Sequence, residues 1–156
     1  MSTIRIPDQE FAARITAMQA VLANEPLDAL LVFSTESEPA GVRYFSDYWP
    51  SFETAGVLIP RQGPPVLLIG PESLAYAKSR SAIAEIIRIK DFRESSMPDY
   101  PGSTLTQWPE VFKRFNVRRL GVAGWHMLPH TIFKNIAAAL GETNITDADA
   151  LVRKLT

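Results

Sequence analysis

The spacing of apolar residues near the N-terminus predicts an amphipathic helix. Four of them recur at intervals of three or four residues and share one helical face: Phe11, Ile15, Met18 and Leu22. Asp8 precedes this face and belongs to a residue type that caps helix N-termini. The helix is expected to end at residues 24–26, because the residue before Pro26 is disfavoured in helical conformation.

Short apolar runs follow and predict strands. Residues 27–33 are almost continuously apolar, which is typical of a strand buried on both faces. Residues 42–48 are rich in β-branched and aromatic side chains and predict a second strand. Residues 54–60 and 65–70 flank a tight turn at 61–64, so these two strands are predicted to form a hairpin.

The second half of the chain alternates between strand and helix patterns. Strands are predicted at 86–92, 119–123 and 143–146, and helices at 72–80, 107–115, 129–140 and 148–155. Residues 93–104 predict the longest loop. Pro129 and Gly141 suit the start and the stop of one helix, and Asp147 suits the cap of the last. The alternation predicts one α/β domain whose mixed sheet carries helices on both faces.

Composition excludes several kinds of chemistry. The 156 residues correspond to about one domain and contain no cysteine, which excludes disulfides, thiolate metal sites and a cysteine nucleophile. A net charge of −1 argues against a nucleic-acid partner. The apolar runs are far shorter than the ~20 residues of a membrane span, and residues 1–10 lack the apolar core of a signal peptide. We therefore expect a cytoplasmic protein without a membrane partner.

Two motifs resemble ligand sites only weakly. His126 and His130 have the spacing of a helical metal pair, but Pro129 between them is expected to begin the helix and to leave His126 outside it. Helix-cap or surface histidines are the favoured interpretation. Gly121 and Gly124 follow a strand but lack the full dinucleotide-binding pattern, so a tight turn is favoured.

The clustered charges are interpreted as solvated. Four cations lie at and just after a predicted helix C-terminus, where they complement the helix dipole: Lys113, Arg114, Arg118 and Arg119. Four carboxylates bracket the predicted second strand: Glu36, Glu38, Asp47 and Glu53. Paired carboxylates can perform acid–base chemistry or bind a metal, but these four fall in polar loops.

Residues 43–53 contain five aromatic side chains in eleven residues. A strand can bury only alternate side chains on one face. Trp49 and Phe52 fall in the loop after the predicted strand, where large aromatic residues mark an interface or the wall of a pocket. The alternative is a lid that folds back over the domain's own core, and the residues leave both interpretations open.

Four groups of motifs along the chain carry a resemblance to a known protein family. They are residues 11–15 leading into 27–32, then 42–48, then the pair 56–60 and 65–69, and last 119–123 with 147–155. Their order and spacing resemble the N-terminal domain of the creatinase/prolidase/Xaa-Pro aminopeptidase family, the pita-bread metallopeptidases, over essentially the whole chain. The chain departs from the family pattern at residues 40–41, where asparagine is common, and at Asp47, where glycine is common.

The resemblance implies a three-layer α/β/α fold with a mixed sheet of ribonuclease H-like topology, formed by residues 1–156. It implies a longer protein, with a catalytic metallopeptidase domain after residue 156 that binds two divalent metal ions (Mn, Co or Zn). The metal ligands and catalytic residues would lie in that domain, so this chain alone is expected to be inactive. A naturally stand-alone relative is the alternative.

The function implied is that of a non-catalytic N-terminal domain of an Xaa-Pro peptidase similar to aminopeptidase P or prolidase. Such a domain contributes to a homodimer and to substrate access at the neighbouring subunit's dinuclear metal site. We expect Trp49 and Phe52 to form a pocket wall for a peptide or small amide, Glu53 to pair with a substrate amine, and Arg43 with a carboxylate.

Three alternatives stay open. The parent protein could be a creatinase-like or other non-peptidase member of the family, because the following domain decides the chemistry. The chain could also be a stand-alone α/β module that binds a small ligand or a protein. A nucleic-acid binder on a ribonuclease H-like fold would need clustered carboxylates and a basic face, which the sequence does not clearly show.

Overall fold

A mixed sheet forms the centre of the computed structural model, which describes residues 4–94 and 105–156. Its six strands in this part of the chain are β1 (Ala29–Ser34), β2 (Ala55–Pro60), β3 (Val66–Ile69), β4 (Ile86–Arg88), β5 (Leu120–Ala123) and β6 (Ile145–Asp147). Their order across the sheet is β4-β3-β2-β1-β5-β6. Strand β2 runs antiparallel to β1 and β3, and the other neighbours pair in parallel. The hairpin and the ribonuclease H-like mixed sheet are therefore confirmed.

Helices cover both faces of the sheet. They are α1 (Asp8–Leu22), α2 (Ala40–Ser46), α3 (Leu74–Arg80), α4 (Trp108–Arg114), α5 (His130–Leu140) and α6 (Asp149–Arg153). Helices α1, α2, α3 and α6 pack on one face, and α4 and α5 on the other. Along β1 the side chains alternate between the two layers, so that Leu30 and Val32 face the first while Leu31 and Phe33 face the second. The three-layer α/β/α architecture is thus confirmed.

Residues 42–48 do not form the predicted strand, because most of them belong to helix α2. Val42 and Phe45 lie three residues apart and are both buried, which is the spacing of a helical face. Packing of this face against β1 overrides the β propensity of the aromatic and β-branched residues, which is a weak preference.

Several smaller expectations also change. Asp8 is the first helical residue and makes no capping hydrogen bond, and Pro7 holds the cap position. Strand β4 ends at Arg88, and residues 90–92 form a 3-10 turn where the strand was expected to continue. Asp147 ends β6 and its Oδ1 accepts the backbone N–H of Asp149 at 2.9 Å, but Ala148 holds the cap position of α6 and no side chain caps this helix. Most of the loop predicted at 93–104 lies outside the described residues.

Helix ends elsewhere follow the sequence signals. Gln107 and Glu110 form a reciprocal capping box at the start of α4. Pro129 precedes the first turn of α5, and Gly141 follows its last turn with a φ of 89°. No helix in the described ranges is both long enough and apolar enough to cross a membrane.

The turn after β5 depends on Gly124, which has a φ of 85°. A Cβ atom at this position would lie 2.3 Å from the carbonyl oxygen of Phe33, much closer than real contacts allow. The backbone N–H of Gly124 donates to Asp149 Oδ1 at 2.6 Å. Gly124 therefore serves a tight turn, as favoured from the sequence.

Gly124→Ala is expected to destabilise the domain by about 2–4 kcal/mol, since it combines left-handed strain with a backbone clash. Gly63→Ala is the matched control, because Gly63 has a φ of 93° but open space, with no atom within 4 Å, where a Cβ would lie. Gly63→Ala should lower the free energy of unfolding only by the cost of the left-handed conformation, about 1–2 kcal/mol. Urea denaturation of both variants measures the difference, and equal losses would contradict the role of the clash.

Candidate functional site

The candidate site lies at the end of the sheet where β1 ends and β2 begins. Ser34 is the partner of Ala55 in the β1–β2 ladder, so the chain leaves β1 and returns to β2 at the same place. Strand β5, the parallel partner of β1, and β6 beside it also have their carboxyl ends here. Ligands of open α/β sheets commonly bind in the crevice at this end.

Helix α2 holds the loop at residues 47–53, which we call the aromatic loop. Ser34 Oγ accepts the backbone N–H of Val42 at 3.0 Å, which attaches the helix to the end of β1. At the other end of α2, Ser46 Oγ donates to the Val42 carbonyl at 2.6 Å and accepts the backbone N–H of Tyr48 at 3.1 Å. Both serines are fully buried, so the start of the aromatic loop is fixed by the core.

Asp47 ends helix α2 in the left-handed conformation, with a φ of 60°. This conformation favours glycine, which is common here in the family that the sequence resembles, and aspartate is one of the few other residues that tolerate it. The side chain is 10% exposed and forms ion pairs with Arg5 at 3.3 Å and Arg80 at 3.5 Å. The expectation of a solvated carboxylate is wrong for Asp47, because two cations cover it.

Glu53 is also buried, with 6% of its surface exposed, so the solvated interpretation is wrong here as well. The hydroxyl of Tyr48 donates to Glu53 Oε1 at 3.0 Å. Burial, with a smaller contribution from the neighbouring Glu72 carboxyl, raises the pKa of Glu53 to about 7 against the opposing effects of Ser73 and Tyr48. Burial, with the charge of Glu53, also raises the pKa of Tyr48 well above its ordinary value.

The raised pKa of Glu53 makes folding dependent on pH. Its ordinary pKa is 4.5 and its folded-state pKa is about 7, so the folded chain binds more protons than the unfolded chain between these values. The contribution of Glu53 to stability is therefore largest below pH 4.5 and is lost as the pH rises through about 7.

Trp49 and Phe52 point outward, in contrast to Phe45 and Tyr48, which are fully buried. Trp49 is 46% exposed and Phe52 is 71% exposed. The guanidinium of Arg43 lies 4.6 Å from the centre of the Trp49 ring, a cation–π contact. Phe52 has a φ of 63°, which is a strained conformation for an aromatic residue. The loop thus displays two aromatic side chains on a buried base.

A groove of about 540 Å³ runs beside the aromatic loop. Its lining comes from the ends of β1 and β2 and from the turn after β4: Thr35, Glu36, Ser37, Phe52, Glu53, Thr54, Arg93 and Glu94. Arg43 and Trp49 lie outside this lining, although Trp49 Nε1 donates at 3.5 Å to the carbonyl of Glu36, which belongs to it. The structure therefore brings Phe52 and Glu53 to one groove and pairs Arg43 with Trp49 next to it.

The other charged residues singled out from the sequence are exposed to solvent or lie away from the aromatic loop. Glu36 and Glu38 are exposed as expected, and Glu38 Oε2 lies 3.1 Å from His126 Nε2. His126 is in a 3-10 turn outside helix α5, as predicted from Pro129. Across residues 4–94 and 105–156, no group of three or more His, Asp or Glu side chains could hold a metal ion. The four cations at and just after the end of α4 are exposed, as expected, and one of them, Arg114, pairs with Glu85.

The contact between Glu53 and Glu72 was not found from the sequence, although a signal for it exists. The predicted hairpin pairs the start of β2 with the end of β3, and the structure places Ala55 opposite Ile69. Residues just before 55 and just after 69 must therefore be neighbours. Following this register outward would have brought Glu53 close to Glu72.

These features define a three-layer α/β/α domain with an exposed aromatic loop above a buried carboxyl group. A model of the creatinase/prolidase N-terminal domain family matches residues 14–155, and the chain belongs to this family. Comparison with curated protein sequences gave no significant match.

Solved structures from this group of peptidases share the fold. The dipeptidase PepE of Mycobacterium ulcerans superposes with a TM-score of 0.67 at 18% identity, over 97% of this chain and 38% of that one. The N-terminal domain of the cytoplasmic peptidase PepQ of Mycobacterium tuberculosis H37Rv superposes with a TM-score of 0.64 at 20% identity, over 92% of this chain and 98% of that one. The prolidase of Pyrococcus horikoshii OT3 superposes with a TM-score of 0.64 at 16% identity, over 92% of this chain and 34% of that one. The chain thus spans a little over a third of the dipeptidase and of the prolidase.

Tyr48→Phe is expected to destabilise the domain by about 1–3 kcal/mol, because it removes the donor to a buried carboxyl group. The loss should be greater at pH 8, where Glu53 is ionised, than at pH 5. Tyr44→Phe is the matched control, since the Tyr44 hydroxyl donates at 3.2 Å to the neutral carbonyl of Leu155. Its effect should be about 0.5–1.5 kcal/mol at both pH values. If Tyr48→Phe lowered the free energy of unfolding equally at both pH values, Tyr48 would not be the donor to an ionised Glu53 carboxylate.

Proposed function

We propose that this chain is the N-terminal domain of a cytoplasmic Xaa-Pro peptidase similar to aminopeptidase P or prolidase. The family match supports the proposal, and so do the prolidase and dipeptidase activities named for proteins of the same fold. Residues 1–156 form this domain, and a catalytic metallopeptidase domain follows it. Two divalent metal ions (Mn, Co or Zn) would be held by the ligands of that following domain.

The aromatic loop is the part of the domain that contacts a second subunit. The observation that carries this proposal is the exposure of Trp49 and Phe52 on a loop whose base is held by buried serines and by Asp47. Exposed aromatic side chains on a rigid base lose little conformational entropy on binding and are frequent anchors of interfaces. In a homodimer, the loop would cover the partner's metal site and limit access to it.

The same loop supplies contacts to a peptide or small amide substrate. Phe52 and Trp49 form an apolar wall, and Arg43 beside Trp49 is exposed and suits a substrate carboxylate. Glu53 suits a substrate amine, but its carboxyl group lies beneath the loop. An amine would therefore reach Glu53 only when the loop moves.

Light scattering over a range of concentrations tests the interface. We expect the chain to form dimers, and Trp49→Glu to weaken them by more than about tenfold, because a charge replaces an apolar anchor. Ala17→Glu, on the exposed side of α1, is the matched control and should leave the dimer unchanged. A dimer that tolerates Trp49→Glu, or a monomer at every concentration, would count against the interface.

Kinetics on the protein that includes the following domain test the substrate role. Trp49→Ala should lower kcat/KM for an Xaa-Pro dipeptide by roughly tenfold, the effect of losing a contact of about 1.4 kcal/mol. The chain of residues 1–156 alone should show no hydrolysis with added Mn²⁺ or Co²⁺. An unchanged kcat/KM in Trp49→Ala would remove Trp49 from the substrate pocket.

A further inference from the structure

Two arginines from distant segments meet at Asp47, where helix α2 ends and the aromatic loop begins. Arg80, the last residue of α3, contacts both the side chain and the backbone of Asp47: its Nη2 lies 3.5 Å from Oδ1, and its Nε donates to the carbonyl at 3.3 Å. Arg5 approaches from the segment before α1, with its Nε 3.3 Å from Oδ2. The Nη2 of Arg5 also donates to the Arg80 carbonyl at 3.0 Å. Arg5 therefore joins the N-terminal segment to the ends of α2 and α3 together.

Arg5 supplies a charge that the Asp47 carboxylate needs. Asp47 Oδ2 is buried and accepts no hydrogen bond. A buried carboxylate oxygen without a hydrogen bond is costly unless a cation lies beside it. The guanidinium of Arg5 is the cation beside Oδ2, whereas Arg80 lies against Oδ1. The two arginines thus compensate different oxygens, and neither can replace the other.

The backbone of Asp47 connects this charge network to the aromatic loop. Its φ of 60° is left-handed, a conformation that glycine adopts freely and that is unfavourable for a residue with a Cβ atom. The ion pairs offset this unfavourable conformation. Because the left-handed turn at Asp47 sets the direction in which the chain leaves α2, the groups that hold the Asp47 side chain also hold the start of the loop.

We propose that residues 4–7 form a strap, and that Arg5 is the positioning residue through which this strap fixes the start of the aromatic loop. Ile4 and Ile6, on either side of Arg5, are exposed, so burial of their side chains does little to attach the strap. Its attachment relies on the polar contacts of Arg5. When the strap is released, Asp47 keeps its contacts with Arg80 but loses the cation at Oδ2, and the loop is held less firmly.

Arg5 has a second carboxylate neighbour, which separates the effect of the strap from that of an ordinary surface charge. Asp8 lies 4.0 Å from Arg5 Nη2, and its side chain is 73% exposed. Exposed ion pairs contribute little to stability, so Asp47 is the partner on which the strap depends. The inference goes beyond the proposed function, because it concerns how this domain holds its own loop. It holds or fails whether or not the loop binds a subunit or a substrate.

Amide hydrogen exchange, measured on this chain at one pH, tests the strap. The backbone N–H groups of Asp47 and Tyr48 are both hydrogen-bonded to acceptors in α2, so their exchange reports opening at the start of the loop. Arg5→Gln should raise the exchange of these two amides by about fivefold or more, because a largely buried carboxylate oxygen loses its cation. The amides of β1 should not change, which distinguishes local loosening of the loop from unfolding of the domain.

The dependence on Asp47 is tested by Asp47→Asn, which removes the charge and keeps a residue that tolerates the left-handed conformation. In this background, Arg5→Gln should change the exchange of the Tyr48 amide by less than about twofold, because the charge that Arg5 compensates is absent. Arg5→Lys should restore part of the protection, since lysine keeps the charge but lacks the planar fork that reaches two acceptors. Asp8→Asn is the matched control and should leave the exchange unchanged.

The proposal is overturned if Arg5→Gln leaves the exchange of the Asp47 and Tyr48 amides unchanged, or raises it equally in the wild type and in Asp47→Asn. An equal rise in Asp8→Asn would also overturn it. Should Asp47→Asn fail to fold, the two Arg5 variants decide, since equal exchange in Arg5→Gln and Arg5→Lys would exclude a role for the charge of Arg5.

Discussion

Burial of β1 on both faces is the constraint on which the rest of the structure depends. All six residues of the strand are buried, and it lies between antiparallel β2 and parallel β5. Alternate side chains form the centre of each helical layer, so neither layer can be built without this strand. The apolar residues of β1 must stay covered, so the chain turns through a short polar loop at 35–39 and the next element packs back against the strand. That element is helix α2.

Close contact between α2 and β1 determines where the aromatic loop lies. A Cβ atom at Gly41 would come within 2.9 Å of Val32 Cγ1, so the helix packs on the strand at a distance that leaves little room for a side chain. Ser34 and Ser46 then satisfy backbone groups at both ends of the helix from within the core. The loop can present Trp49 and Phe52 to solvent because its own base contributes Tyr48 to the core. The aromatic loop, residues 47–53, therefore both contributes to the core and exposes two aromatic side chains.

The sequence predicts the sheet better than the site. Apolar runs with clear turn signals, such as 54–60 and 65–70, define their strands because burial and turn chemistry agree. Residues 42–48 are assigned wrongly because their aromatic composition favours a strand, whereas the spacing of Val42 and Phe45 favours a helix, and tertiary packing decides. Trp49 and Phe52 are found from their position after an apolar segment. The burial of Asp47 and Glu53 is missed, because it depends on tertiary contacts, such as those of Asp47 with Arg5 and Arg80, which come from distant parts of the chain.

A buried carboxyl group at the base of an exposed loop has a physical consequence of its own. Desolvation penalises the ionised form of Glu53, while the Tyr48 hydroxyl partly compensates for it, so the two protonation states lie close in free energy near neutral pH. An isosteric amide would carry no such penalty, and its contribution to stability would not change with pH. Glu53 therefore makes the stability of the folded domain depend on pH.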